Sequence, residues 1–339
     1  MNVLVTGATG LVGSFLAARL RDRGDGVRAL VRDPERARGL ADRGASLVQG
    51  DLRRAESMRA AVEGVEVVYH CAAQVALPYE GDRTKILQVN VEGTANLLDA
   101  CAKAGVRRFV LASSTAVYGE TTTENVSEEH PIQPSGPYAE SKALAERVVQ
   151  NYAGDFETVL VRPCVIYGPG DRNFLPMFFE RLPSGVLPLV SGGHQPLDMV
   201  YTSDVAQALM LAGTVDAAAG EAYNVTDGER HTIRDLFELF GRLSERRLRT
   251  ISVPYPVAYG FATLSTAWQR FRQPDAAPLV TPESVRVLTY PHHYDISKIQ
   301  RELGFKPQVP IDEGMRRTVE WYLEHTQNGG SNGFEHHVG

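Results

Sequence analysis

Thr6-Gly7-Ala8-Thr9-Gly10-Leu11-Val12-Gly13 separates the β-branched run Val3–Thr6 from a stretch of helical length, Leu11–Arg23. Glycine at 7 and 10 lets the backbone come close to a pyrophosphate. A helix opening at Leu11 turns free N–H groups and the positive end of its dipole toward that anion. Thr9, Leu11 and Val12 belong to the same contact, and Gly13 allows helix and strand to pack closely. As a bare pattern the stretch also fits an ordinary tight turn. Its place at the head of a strand–helix unit decides for a dinucleotide.

Outward from this stretch, short β-branched runs alternate with helical segments. Val27–Val31, Ser46–Val48, Val65–His70, Arg108–Ser113 and Thr158–Val161 have the length and composition of buried strands. Leu11–Arg23, Thr84–Lys103 and Tyr138–Tyr152 have the length of helices, with Ser135 and Pro137 as start signals for the last. The alternation predicts an α/β fold, a Rossmann-type doubly wound parallel sheet over residues 1–162, with later segments returning to it. From about Arg162 prolines accumulate, which predicts a smaller, mixed C-terminal substrate lobe over 163–325. Residues 326–339 read as a flexible tail.

The 339 residues are 43% hydrophobic and 22% charged, enough to bury a sizeable core. The net charge of −6 argues against nucleic acid as a partner. Three cysteines, Cys71, Cys101 and Cys164, make no disulfide framework and show no metal spacing. No apolar run has the length of a membrane span, and Met1 leads directly into the first strand without a signal peptide. The expectation is a soluble, reduced, cytoplasmic protein without metal. Tyr255–Phe271 is apolar enough to face a membrane, but its length fits a cap helix over a binding cleft better.

Tyr138-Ala-Glu-Ser-Lys142 is the catalytic candidate. Spacing i, i+4 places both side chains on one helical face. A lysine beside a tyrosine favours phenolate and draws its pKa down, so that the tyrosine can exchange a proton with a carbonyl or alcohol while hydride moves. Tyr294-Asp-Ile-Ser-Lys298 repeats the spacing but lies far along the chain, which favours a structural role. Arg32 directly follows the second strand, where a guanidinium would pair with the 2′-phosphate of NADP; an acid there, such as Asp33, would hold the ribose of NAD. Asp51 with Leu52 could meet the adenine amino group. His70-Cys71-Ala72-Ala73-Gln74 offers small residues against which a dinucleotide can lie.

These motifs in this order, with Asn90-Val-Glu-Gly-Thr94 and the Ser113–Gly119 run, resemble an extended short-chain dehydrogenase/reductase of the NAD-dependent epimerase/dehydratase type. Arg162–Asp171, Leu197–Val205, Pro282–Thr289 and Leu303–Pro307 with Trp321 are similar to its 3β-hydroxysteroid dehydrogenase and dihydroflavonol reductase-like branch. The resemblance implies Ser114 as the hydroxyl holding the substrate oxygen, Tyr138 as acid/base, and Lys142 as activator of the tyrosine and ribose ligand. It also implies cofactor contacts from Asn90 and the Arg162-Pro163-Cys164 stretch, and a homodimer through two helix pairs. Strand alternation leaves Ser113 and Thr115 open as the working hydroxyl. Nucleotide-sugar epimerases and dehydratases usually carry asparagine where Val165 stands and arginine near Pro196-Leu197. Their absence speaks for an NADP- or NAD-dependent oxidoreductase acting on a secondary alcohol or ketone of a bulky, steroid- or flavonoid-like small-molecule substrate. The alternatives are a nucleotide-sugar epimerase/dehydratase and, third, a non-enzymatic dinucleotide-binding protein. Asp198 and Asp204 read as caps for a helix near Ser203–Leu211, Asp198 also as a residue facing the cleft, and the histidines as structural.

Overall fold

The computed structural model describes residues 1–75, 82–171, 185–244, 249–272 and 280–327. Its strands are β1 (Asn2–Thr6), β2 (Gly26–Val31), β3 (Ser46–Gln49), β4 (Val67–His70), β5 (Arg108–Ala112), β6 (Glu157–Pro163), β7 (Val165–Tyr167), β8 (Val186–Val190), β9 (Met199–Tyr201), β10 (Ala222–Val225) and β11 (Arg249–Val253). Seven form one sheet in the order β10-β6-β5-β4-β1-β2-β3, every pair parallel. The order reverses beside β1, which opens a crevice at the carboxyl ends of β1 and β4. This is the expected doubly wound architecture, and β10 joins its edge from well beyond residue 162. Two small parallel pairs, β7 with β9 and β8 with β11, stand outside the sheet.

Helices cover both faces, so successive residues of a strand are buried on opposite sides. Val3, Val5, Val67 and Tyr69 pack with Leu16, Leu20 and Leu209 on one side. Leu4, Val68 and Phe109 pack with Met58, Leu97 and Leu98 on the other. A third cluster, including Tyr167, Met199, Phe240 and Met315, lies under the small strands. Burial of each such side chain contributes roughly 1.5–3 kcal/mol before entropy is counted.

Several local expectations change. The helix expected over 84–103 has three parts: Arg83–Leu87, a π-helical turn at Gln88–Glu92 and an α-helix at Gly93–Ala104. The wider turn carries Asn90, in keeping with the tendency of π-bulges to occur at functional sites. Pro137 does open the helix Pro137–Gln150, but its cap is Gly136, and Ser135 Oγ instead donates to Glu120 Oε1 at 3.2 Å. Neither aspartate caps Thr202–Thr214, whose N-cap is Tyr201 with no side-chain bond. Asp204 Oδ2 instead accepts from the N–H groups of Gln308 and Val309, at 3.0 and 3.1 Å. The helix Tyr255–Arg272 packs on Pro282–Val287 and contributes no described residue to the cleft wall. The last helix runs to Gln327, inside the expected tail; 328–339 fall outside the described residues, as do Pro176 and Pro183. No helix of the described residues is long and apolar enough to cross a membrane.

Candidate active site

A cavity of about 1170 Å³ runs along the carboxyl ends of the central strands. That exceeds the roughly 300–1,000 Å³ of common ligand pockets and leaves room for a dinucleotide with a second molecule. At one end stands the glycine turn. Gly7 has φ +68°, and a Cβ there would lie 2.6 Å from Ala72 N; a Cβ on Gly13 would lie 2.2 Å from the Gly7 carbonyl oxygen. Any side chain would force β1, its helix and the residues after β4 apart. The helix Leu11–Asp22 begins without a side-chain cap and faces the cavity, so its first N–H groups are available to an anion. This is a cradle that fits a dinucleotide pyrophosphate.

Thr9, Gly10, Leu11, Val12, Ala73, Gln74, Pro163 and Cys164 line the same cavity, as do Ser114, Tyr138 and Lys142. Arg32, Asp51, Leu52, Ala72 and Asn90 do not. Asn90 stands behind the wall, where Oδ1 accepts from Gln74 N at 2.7 Å and Nδ2 donates to Gln74 O and Ser141 Oγ. Ala72 backs the glycine turn, and Leu52 is buried. Arg32 is exposed beyond β2. Asp33 turns away from it to accept from the Glu35 and Arg36 N–H groups. Asp51, expected to meet the adenine amino group, is held by Arg53 at 2.5–3.2 Å. Arg53, with Arg32 adding its field, lowers the Asp51 carboxyl to about 2. Arg162, expected near the cofactor, points into the core and pairs with Glu146 at 2.7 Å.

The three hydroxyls after β5 separate cleanly. Ser113 Oγ is buried and donates to Glu146 Oε1 at 2.5 Å, while the Thr115 hydroxyl lies near the Tyr294 phenol and favours its ionised form against burial. Ser114, half-buried and extended at φ −162°, lies close enough to the Tyr138 phenol in the same cavity to favour its ionised form. Lys142 Nζ donates to Ala112 O at 2.7 Å. The expected lowering of the Tyr138 pKa by Lys142 is not what this geometry produces. Burial holds the phenol up at about 12, opposed only by the Ser114 hydroxyl. Burial also brings Lys142 down to about 8, against the pull of Cys71 and Glu146. His70, between Thr6 and Thr94, is kept neutral by burial and by Lys142, at about 3.

The opposite wall gathers residues from distant parts of the sequence, among them Asp198, read from the sequence also as facing the cleft. Tyr294 lies in the cleft, stacked on Tyr118 at 6.0 Å, and is brought there although it sits far along the sequence. It has no partnership with Lys298, which bonds Glu221 at 2.6 Å. Val165, Leu197, Val287 and Leu288 line the wall with Asp198 and His292. Asp198 is fully buried, accepts from His293 Nδ1 and the Tyr294 N–H, and is raised by burial to about 6. The bridge between Leu197 and His292, with the bonds of His293 and Tyr294 to Asp198, brings these residues together. No cluster of metal-ligating side chains occurs among the described residues.

Known proteins with this arrangement are numerous. The chain is 32% identical to the 2-alkyl-3-oxoalkanoate reductase of Stenotrophomonas maltophilia, over 94% of this chain and 98% of that protein. It is 32% identical to the 3-beta-hydroxysteroid dehydrogenase of Mycolicibacterium neoaurum, over 95% and 92% respectively. The solved structure of MoeE5 with UDP-glucuronic acid and NAD superposes with a TM-score of 0.75 at 28% identity, covering 96% of this chain and 99% of that one. Residues 3–226, which carry the glycine turn, the Ser114–Tyr138–Lys142 cluster and all seven strands of the main sheet, match the NAD dependent epimerase/dehydratase family model, and the chain belongs to that family.

Proposed function

We propose that the chain is an oxidoreductase that interconverts a secondary alcohol and a ketone on a bulky, largely apolar substrate. The observation that carries this reading is the substrate wall. Val165 and Leu197, at the places where nucleotide-sugar enzymes usually carry asparagine and arginine, line the cavity with Val287 and Leu288, and none of these four side chains donates a hydrogen bond to a diphosphate. A nucleotide sugar would meet apolar surface there, at a cost in desolvation. The relatives named for a 3-oxoalkanoate and a 3β-hydroxysteroid support a ketone or alcohol on a hydrocarbon frame.

In the direction of reduction, Ser114 holds the ketone oxygen and Tyr138 gives it a proton. Burial keeps that proton on the phenol at neutral pH. Lys142 has three N–H donors. One is spent on Ala112 O, which leaves the others to meet a ribose and the Tyr138 oxygen. The nicotinamide cofactor supplies or takes the hydride when bound. A panel of apolar ketones with each reduced cofactor, followed by nicotinamide absorbance, tests the reading. Net consumption supports it, whereas an epimerase leaves the absorbance unchanged.

The cofactor is proposed to be NADPH before NADH. Arg32 is exposed at the end of β2, and Asp33 is occupied by its own turn. A guanidinium can hold a 2′-phosphate by two parallel bonds. Arg32→Ala is expected to weaken NADPH binding by roughly 1.5–3 kcal/mol and leave NADH unchanged. Fluorescence titration of both cofactors checks this, and equal loss for the two would exclude a phosphate contact. Two copies are expected to associate through the helical run 83–104 and the helix Pro137–Gln150; a monomer by light scattering at micromolar concentration counts against it.

A further inference from the structure

The helix Tyr255–Arg272 is built inside out. An ordinary surface helix turns its apolar stripe to the core and its polar face to water. Here Ala258, Ala262, Ser265 and Thr266 face the protein, and Thr266 Oγ1 donates to Val280 O at 3.3 Å. Val257, Phe261, Leu264, Trp268 and Phe271 face away from it, each between 60% and 83% exposed. Their spacing of four and three residues keeps all five within about 80° of arc. A continuous ridge of this size on an isolated chain marks an interaction surface.

Charge identifies the occupant. Residues 242–272 contain six arginines and one glutamate, a net +5 within a chain of net −6, so the remaining residues carry −11. The helix itself holds Arg270 and Arg272 and no carboxylate. A second copy laid against it would bring apolar residues but only further positive charge. An anionic bilayer supplies both an apolar layer and negative headgroups. Tryptophan and tyrosine, apolar in body and polar at the tip, suit the boundary between them.

We propose that the helix Tyr255–Arg272 is a monotopic docking element that lies in the surface of an anionic membrane, with Val257, Phe261, Leu264, Trp268 and Phe271 inserted and Arg272 at the headgroups. No helix of the described residues is long and apolar enough to cross a bilayer. The helix packs on Pro282–Val287, whose Ser284 and Val287 line the cleft. Docking therefore sets the cleft wall close to the lipid, where apolar small molecules concentrate.

Flotation with vesicles of phosphatidylcholine, alone and mixed with phosphatidylglycerol, tests the proposal on the full chain. The wild type is expected to float with the mixed vesicles, less so in high salt. Phe261→Ser, Trp268→Ser and Phe271→Ser together should lower the bound fraction more than about tenfold. Because these side chains are exposed, the triple variant should keep its thermal midpoint and cofactor affinity. If it does not fold, Arg270→Glu with Arg272→Glu serves instead and should abolish the preference for phosphatidylglycerol. Wild type that stays unbound, or variants that float as the wild type does, would overturn the proposal. Self-association lost in the triple variant, without vesicle binding by the wild type, would overturn it in favour of a second copy.

Discussion

Tyr138→Phe is expected to lower turnover about 10²- to 10⁴-fold, the usual contribution of one proton-transfer group. The ring keeps its place at the cleft, so folding and cofactor affinity should hold. The phenol of the free protein is protonated up to about 12, because burial disfavours the phenolate more than the Ser114 hydroxyl favours it. An acid catalyst works while it keeps its proton. In the reducing direction kcat/KM should therefore stay level through neutral pH and fall only in the alkaline range, and that alkaline fall should vanish in the variant. Tyr294→Phe is the control, since Tyr294 lines the same cavity but lies near Thr115 rather than Ser114. A crippled Tyr294→Phe beside an unaffected Tyr138→Phe would exchange their roles.

The second large effect concerns stability. Arg162 and Glu146 are buried together, joined by bonds of 2.7 and 2.9 Å. Arg162 also donates to the Tyr118 hydroxyl at 2.9 Å, and Ser113 donates to Glu146. Arg162→Met leaves the Glu146 carboxylate in the core with Ser113 as its remaining partner from this network. Removing one member of a buried pair in this way costs about 3–5 kcal/mol. The double change Arg162→Met with Glu146→Leu should recover much of the loss, because it leaves no uncompensated charge. Urea unfolding of the three proteins reads both effects, and a single variant within about 1 kcal/mol of wild type would contradict them. The pair also ties the catalytic helix to the ends of β5 and β6. Its loss should therefore loosen Ser114 and lower kcat even where the protein remains folded.

The glycine turn and the β-branched runs were legible because backbone approach and two-sided burial leave a local mark on sequence. Gly7 and Gly13 stand where any Cβ would collide with backbone. Tyr138 and Lys142 were legible for the same reason, their spacing being a property of one helix. What was not legible depends on distant partners. The proposal of Ser114 over its neighbours rests on Glu146 claiming the Ser113 hydroxyl and on Ser114 lying beside the Tyr138 phenol. The pairing of Asp51 with Arg53 was not legible, because opposite charges two residues apart are common on a surface. The direction of the Tyr138 shift depends on desolvation, which spacing does not report. Tyr294, Val287 and Leu288 enter the wall through long-range pairing of Leu197 with His292. The residues of Tyr255–Phe271 announced an apolar helix, but only the packed structure revealed which side faces out.

The central claim is that hydride passes between cofactor and an apolar ketone with Tyr138 supplying the proton. Reduced cofactor carrying deuterium at the transferring carbon of the nicotinamide, incubated with the protein and an apolar ketone, tests it most directly. The account predicts loss of nicotinamide absorbance matched mole for mole by deuterium on the new carbinol carbon, at a rate that collapses in Tyr138→Phe. No net loss of reduced cofactor with any ketone, together with epimerisation of a nucleotide sugar at constant absorbance, would contradict it.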